Sequence, residues 1–501
     1  MASRTDPGAP TPISTARRRT ATEHIRKERE RQRSERVRVL DVLAERRDEF
    51  RAKNQVYYDE VERLAKFFIP EGSSVLEIGC STGHLLAACK PSRGVGIDLS
   101  PRTIEMAKAN YPDLEFHVAD AEELDLGGET FDYVIMSDVI GHFSDVWTAF
   151  RSLQKVMRPT SRLFATYYNY LWEPAMRVAR TLGRMMPVPQ QNWLGKNDII
   201  NLLSLNGMEV VQSGGSMLVP AKVPGVSALA NRILARTPGF RNLTMMRYFL
   251  ARPIWQHRRD PQELSASVIC ACRNERGNVE DIFARTPDMG KGTELIFVDG
   301  SSDDGTVEEI ERLLPTRPNT RLIHQGDGIG KGDAVRKGFE AATGDVLFIL
   351  DADLTVPPED LPKFYSALAE GWGEFINGTR LVYPMEKQAM RFLNMLGNHF
   401  FSVAFSYILG RPIKDTLCGT KVLSKEHYQQ IADNRDYFGE FDPFGDFDLL
   451  FGAARQGMKI VEVPVRYRAR EYGDTKISRF RHGFLLLRMT GIGYWKFKLT
   501  V

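Results

Sequence analysis

Two aspartates one residue apart, Asp351 and Asp353, follow four apolar residues in the stretch LFILDADLTVPPED. Like charges this close repel and raise each other's pKa unless a cation or hydrogen bonds compensate. The pair therefore either faces water or holds something positive. Carboxylates at a strand end suit Mg2+ or Mn2+, hard cations that commonly keep substrate phosphates in their shell. Such an ion would neutralise a diphosphate as it departs. Upstream, Glu275 follows the strand-like run SVICAC, Asp299 closes TELIFVD, and Lys331 precedes a helix beginning near Gly332. The run from Asp299 is no EF-hand: Asp304 stands where glycine is needed, and Ile310 where the bidentate glutamate belongs. Nor is the glycine-rich turn before Lys331 a G-x-x-x-x-G-K-[ST] phosphate loop, since Gln325 replaces the first glycine and Gly332 follows the lysine.

A second group of residues lies nearer the N-terminus. VLEIGCSTGHLL puts Glu77 at a strand end, with Gly79 and Gly83 in the turn that follows. Glycines there let the backbone approach a ligand closely. Asp98 ends the next strand and suits ribose hydroxyls; Asp120, with Ala121 behind it, ends a third and can meet an adenine amino group. Ligands of open α/β sheets bind at the carboxyl ends of strands, so these positions converge. Taken singly, each acid is equally well a helix cap. The dinucleotide fingerprint G-x-G-x-x-G does not fit, because Ser81 occupies the second glycine position. His142 follows the fourth strand, where an imidazole either takes a proton from a hydroxyl or opens the next helix.

The elements that must position these residues form two series. Short apolar strands alternate with helices over 70–215, and a different strand–helix series starts at Ser265. Alternation of this kind predicts parallel α/β sheets, hence two α/β domains. The expected division is a basic, partly disordered segment at 1–45, a first domain at 46–215, a connector at 216–262 and a second domain at 263–501.

The first domain resembles the class I S-adenosylmethionine-dependent methyltransferases, whose first motif usually reads E-x-G-x-G-x-G; Ser81 is the departure. That resemblance implies a Rossmann-like sheet with Glu77, Gly79, Gly83, Asp98, Asp120 and Ala121 around S-adenosylmethionine, and His142 near the acceptor. The order Glu275, Asp299, Lys331, Asp351-Ala352-Asp353 resembles the inverting family 2 glycosyltransferases with the GT-A fold, in particular the dolichol- or polyprenyl-phosphate sugar transferases. NGTRL, DTLCGTKVL and VPVRYRAREYGDTKISRF match further elements of that group, with Thr355 for the usual glutamine and Thr475 for serine. By resemblance, Glu275, Asp299, Lys331, Asp351, Arg380, Arg470 and Lys476 would bind donor and acceptor phosphates. Asp351 and Asp353 would hold the metal, and Asp353 would belong to the catalytic machinery. An acceptor phosphate needs no base; an acceptor hydroxyl does, and FGDFDLL offers Asp446 or Asp448.

The implied protein is a bifunctional transferase. Its partners would be a nucleotide-sugar donor and a polyprenyl phosphate or lipid-linked glycan, its cofactors S-adenosylmethionine and Mg2+ or Mn2+. A first domain that binds S-adenosylmethionine without turnover is the alternative. A net charge of +3 over 501 residues gives no case for nucleic acid, and five scattered cysteines suit a reducing compartment. Residues 17–53 carry 14 Lys and Arg against 8 Asp and Glu, which reads either as a solvated helix or as attraction to anionic lipid. The run 389–410 is apolar but too interrupted to span a bilayer, and fits a buried or an interfacial helix. The expected location is cytoplasmic, with peripheral contact to the membrane.

Overall fold

The computed structural model describes the chain except residues 1–29, 32, 188–191, 222, 238, 255–258, 329, 381, 383–391, 438–444, 469, 471, 473–478, 500 and 501. Two seven-stranded sheets organise it. The first contains β1 (Ser74–Ile78), β2 (Arg93–Asp98), β3 (Glu115–Val118), β4 (Phe131–Ser137), β5 (Met157–Tyr168), β6 (Met208–Ser216) and β7 (Met246–Pro253). Its order is β3-β2-β1-β4-β5-β7-β6. The second contains β8 (Ala266–Cys272), β9 (Thr293–Asp299), β10 (Thr320–His324), β11 (Val346–Ile349), β12 (Phe375–Thr379), β13 (Lys421–Ser424) and β14 (Ile460–Pro464). Here the order is β10-β9-β8-β11-β13-β12-β14.

Two strands depart from the parallel sheets expected. β7 runs antiparallel between β5 and β6, and β13 antiparallel between β11 and β12. β7 lies in the stretch read as a connector, so the first sheet extends to Pro253. The reversed strand lets β5 and β6 flank a strand that comes later in the chain, and Phe249, Leu250 and Ala251 of β7 are buried as a result. Among the described residues, no helix is long and apolar enough to cross a membrane.

The two sheets share one hydrophobic core. Phe68, Phe164 and Leu250 from the first half belong to the same buried cluster as Phe405, Phe451 and Phe497 from the second. Phe67 packs edge-on against Phe497 with ring centroids 5.4 Å apart. Beside this apolar contact lies a buried ionic knot. Glu374, just before β12, pairs with Arg162 of β5 at 2.7 Å and with Arg252 of β7 at 3.4 Å. It also accepts the Lys459 backbone N–H at 2.8 Å. Arg162 donates onward to the Gly457 carbonyl at 2.9 Å, and Arg252 to Glu209 at 2.8 Å. Burial alone would push the Glu374 carboxyl up; the charge of Arg162, then the neighbouring His427 ring and Arg252, hold it well below the usual carboxylate range.

Glu374→Gln leaves two buried guanidinium groups short of their counter-charge. Removing one partner of a buried pair costs about 3–5 kcal/mol. The variant should unfold at a clearly lower urea midpoint; a wild-type midpoint would show that the knot contributes nothing to joining the domains.

Candidate functional sites

At the carboxyl end of the first sheet, β1 delivers the buried Glu77, whose carboxylate accepts the Leu86 N–H at 3.0 Å. Burial pushes the carboxyl up to about 8. The turn beyond is left-handed at Gly79 (φ +75°), Ser81 (φ +51°) and Gly83 (φ +84°). A Cβ on Gly79 would lie 2.8 Å from the Val139 side chain, so glycine is required there. Ser81 takes the same strained region with help: its N–H donates to Asp98 at 3.1 Å, and its hydroxyl accepts from Arg47 at 2.8 Å. The departure from glycine thus has a local compensation. Asp98, at the end of β2, also accepts the Ser100 N–H at 3.0 Å.

Asp120 caps the short turn Ala121–Glu123 by accepting the Glu122 N–H at 2.9 Å, and pairs with Arg33 at 3.2 Å. Arg33 belongs to the basic segment, whose residues 33–44 are helical. Arg36 from the same helix donates to the His142 carbonyl at 2.6 Å, and Asp41 accepts from the Ser100 hydroxyl. That helix therefore lies against the strand ends of the first sheet instead of standing free in solvent. The His142 imidazole is pushed down to about 4 by burial and by the positive charge of Arg180, Arg47 and Arg36, so it is neutral at physiological pH.

Asp138 directly follows β4. It sits at φ +55° and accepts hydrogen bonds from the Tyr57 hydroxyl at 2.7 Å and the Thr166 hydroxyl at 2.9 Å. Burial outweighs those bonds and pushes its carboxyl up to about 6. Tyr57 in turn stacks on Tyr168, with centroids 5.3 Å apart.

In the second sheet, Asp351 follows β11. Burial acts to raise its pKa, but the charges of Lys331, Arg380 and Lys421 hold it below the ordinary value, with Lys331 Nζ 2.6 Å from Oδ1. Asp353 Oδ2 accepts from Arg470 at 2.6 Å, and its Oδ1 accepts from the backbone and hydroxyl of Thr355 at 3.2 and 2.8 Å. Arg470 also reaches Glu275 at 3.6 Å. Asp351 and Asp353 are thus each matched to a cation. Asp299 stands beside Cys272 in the β8–β9 register and accepts from the N–H and hydroxyl of Ser302.

Arg380 is enclosed, with its guanidinium bonded to both oxygens of Asp415 at 2.7 and 2.8 Å and lying 5.0 Å over the Tyr467 ring. The sequence motifs NGTRL and DTLCG are therefore joined by one ion pair that sequence spacing could not reveal. Asp448 is buried and pairs with Arg435 at 2.8 Å. Asp446 opens the helix Asp446–Arg455, but its side chain lies outside the described residues, as does all of Lys476. Among the described residues, no three His, Cys, Asp or Glu side chains converge as a complete metal centre. Asp351 and Asp353 are still the right donors for a hard divalent ion that completes its shell with substrate phosphates.

Two tests follow from this geometry. A Cβ on Gly419 would lie 2.0 Å from Asp351 Oδ2. Gly419→Ala should displace that carboxylate and weaken Mn2+ binding at least tenfold by calorimetry; unchanged binding would contradict the close approach. Glu77 holds its proton in the folded chain up to about 8, against an ordinary value of 4.5. The unfolded chain releases that proton sooner, so this term favours the fold at low pH and fades as pH rises through about 8. Glu77→Gln should therefore gain stability relative to wild type as pH is raised from 5 to 8, read by urea denaturation; a constant difference would contradict the shift.

Comparison with known proteins assigns both halves. Residues 45–213 match the family model "Methyltransferase domain", and residues 267–431 match "Glycosyl transferase family 2". Over 240 residues the chain is 30% identical to the dolichol-phosphate mannosyltransferase of Pyrococcus furiosus, covering 46% of this chain and 65% of that one. It thus spans less than two thirds of that relative. Over 220 residues it is 30% identical to the dolichyl-phosphate hexose transferase of Haloferax volcanii, covering 43% of this chain and 88% of the relative. Among solved structures, a SAM-dependent methyltransferase of Thermotoga maritima, described as a possible histamine N-methyltransferase, aligns with a TM-score of 0.35 and 15% identity, covering 43% of this chain and 98% of that one. The chain belongs to the family 2 glycosyltransferases and carries an S-adenosylmethionine-dependent methyltransferase domain on its N-terminal side.

Proposed function

We propose that the protein transfers a sugar from a nucleotide-sugar to a polyprenyl phosphate, inverting the anomeric centre, and methylates the sugar product or a related intermediate. The observation that carries the first half is the alternation Lys331–Asp351 and Asp353–Arg470 at the end of β11. Cations and carboxylates interleaved this way suit a diphosphate that arrives with its counter-ion. A Mg2+ or Mn2+ ion bound by Asp351 and Asp353 would supply Lewis-acid neutralisation of the leaving group. Lys331 and Arg470 would exchange their carboxylate contacts for donor phosphate oxygens, while Asp299 and Glu275 orient the nucleotide side. An acceptor phosphate oxygen forms the new bond to the anomeric carbon as the bond to the diphosphate breaks, and the electron pair leaves with the nucleoside diphosphate. Being anionic, that oxygen needs no base, and the commitment of Asp448 to Arg435 agrees with a phosphate acceptor. Were the acceptor a hydroxyl, Asp446 would be its base. Arg380, tied to Asp415, would act by positioning the strand end, and Lys476 would add a further phosphate contact.

In the first domain, Glu77, Asp98, Asp120, Ala121 and the turn at Gly79 and Gly83 would hold S-adenosylmethionine. His142 or Asp138 would receive the acceptor's proton; Asp138, with a pKa of about 6, is the better matched to neutral pH. Access to a lipid acceptor would come by peripheral contact with the cytoplasmic face of a membrane. Phe400 and Val403, one helical turn apart on the helix Phe392–Leu409, are exposed and support that contact, while Phe405 and Leu409 are buried.

Asp353→Ala should abolish sugar transfer and leave methyl transfer intact, both followed with labelled donors. Chelation should likewise stop only sugar transfer, with recovery on adding Mn2+. Loss of both activities on either treatment would contradict two separate sites.

A further inference from the structure

A cavity lies at the seam between the two domains and includes none of the site residues named above. Four cations line it: Arg63 from the helix Gln55–Phe68, Arg236 and Arg241 from the segment between β6 and β7, and Lys498 from the C-terminal turn. Glu60 is its one carboxylate among the described residues. Both Glu60 oxygens are already engaged, one by Arg63 Nε at 3.0 Å and the other by the Ser216 hydroxyl. The remaining cations are held close together by the fold. Arg241 donates to the Ser213 carbonyl, the Arg236 carbonyl accepts from the Tyr407 hydroxyl at 2.8 Å, and Lys498 lies 5.2 Å over the Tyr407 ring. Burial and the charges of Arg241 and Arg236 push Lys498 down to about 7, and Arg236 is pushed down to about 10 by burial and by Arg63.

Gathering like charges in a low-dielectric seam is costly unless an anion completes the set. We propose that this seam is a binding site for one phosphate group, bridging the methyltransferase and glycosyltransferase domains. The cavity measures about 30 Å³. Pockets for drug-sized ligands begin at about 300 Å³, so the cavity takes a small group alone and the rest of any larger molecule stays outside. Arginine forks and a lysine are the side chains that bind such an oxyanion. The phosphate comes either free or on a lipid head group. Because residues of both domains would share it, the ligand stabilises their packing.

The test uses the full chain. Its melting midpoint is measured in inorganic phosphate and in chloride at equal ionic strength, for wild type, Lys498→Gln, Arg241→Gln and Arg470→Gln. Phosphate should raise the midpoint of wild type and of Arg470→Gln, whose change lies at the donor site, and should do so much less for the two seam variants. If one seam variant does not fold in chloride, the phosphate shift of the other decides. In a second arm, flotation compares phosphatidylcholine vesicles with vesicles that also contain phosphatidic acid. Selective flotation that Lys498→Gln loses assigns the phosphate to a lipid; a midpoint shift without selective flotation assigns it to free phosphate. The proposal is overturned if phosphate stabilises no better than chloride and phosphatidic acid draws wild type and Lys498→Gln equally.

Discussion

The carboxylate of Glu374, enclosed between two sheets, is the constraint on which the rest of the structure depends. A charge taken out of water must be matched where it lies, and here Arg162 and Arg252 of the other domain match it, with His427 of its own domain 3.4 Å away. The consequences run along the strands. Glu374 immediately precedes β12, whose far end leads to Arg380 and its clamp on Asp415. Arg162 lies on β5, whose far end carries Thr166 and its bond to Asp138. Fixing one ion pair therefore fixes the strand registers that lead toward both sites, and the shared core around Phe68, Leu250 and Phe451 closes over it.

The two sites solve the same electrostatic problem in opposite ways. Around β11, Asp351 stays charged because Lys331 stands against it, and its neighbour Asp353 pairs with Arg470. In the proposed function, those pairs leave charges for a diphosphate and a divalent ion to take over. At the ends of β1 and β4, Glu77 and Asp138 have hydrogen-bond donors but no cation in contact among the described residues, and burial raises both. A carboxyl that retains its proton near neutrality can exchange it with a substrate, whereas an ion-paired one is fit only to hold charge.

Much of this was legible in the sequence, and the failures have physical reasons. The D-A-D pair, Lys331 and the glycines at 79 and 83 carry their signal locally, in strand ends and turns with a restricted choice of residue. β7 was missed because MRYFLARP carries basic residues and a proline, and its partners β5 and β6 are far from it in sequence. β13 was missed because four residues after a glycine are too few to show a period. The Arg380–Asp415 pair joins residues 35 apart, and the role of Asp138 requires Tyr57, 81 residues away. The basic N-terminal segment has helical periodicity, but nothing in its own pattern says that Arg33 and Arg36 meet Asp120 and the His142 carbonyl. Pattern reports faces; it does not report which face another element will cover.

The central claim is that one chain places a sugar on a lipid phosphate and a methyl group on the same product line. The most direct measurement is mass spectrometry of lipids recovered after incubating the purified full chain with nucleotide-sugars, polyprenyl phosphate, Mn2+ and methyl-labelled S-adenosylmethionine. The account predicts a polyprenyl-phosphate sugar that depends on the nucleotide-sugar, and a labelled methylated form that appears only when S-adenosylmethionine is present. Polyprenyl phosphate recovered without sugar from every donor would contradict it.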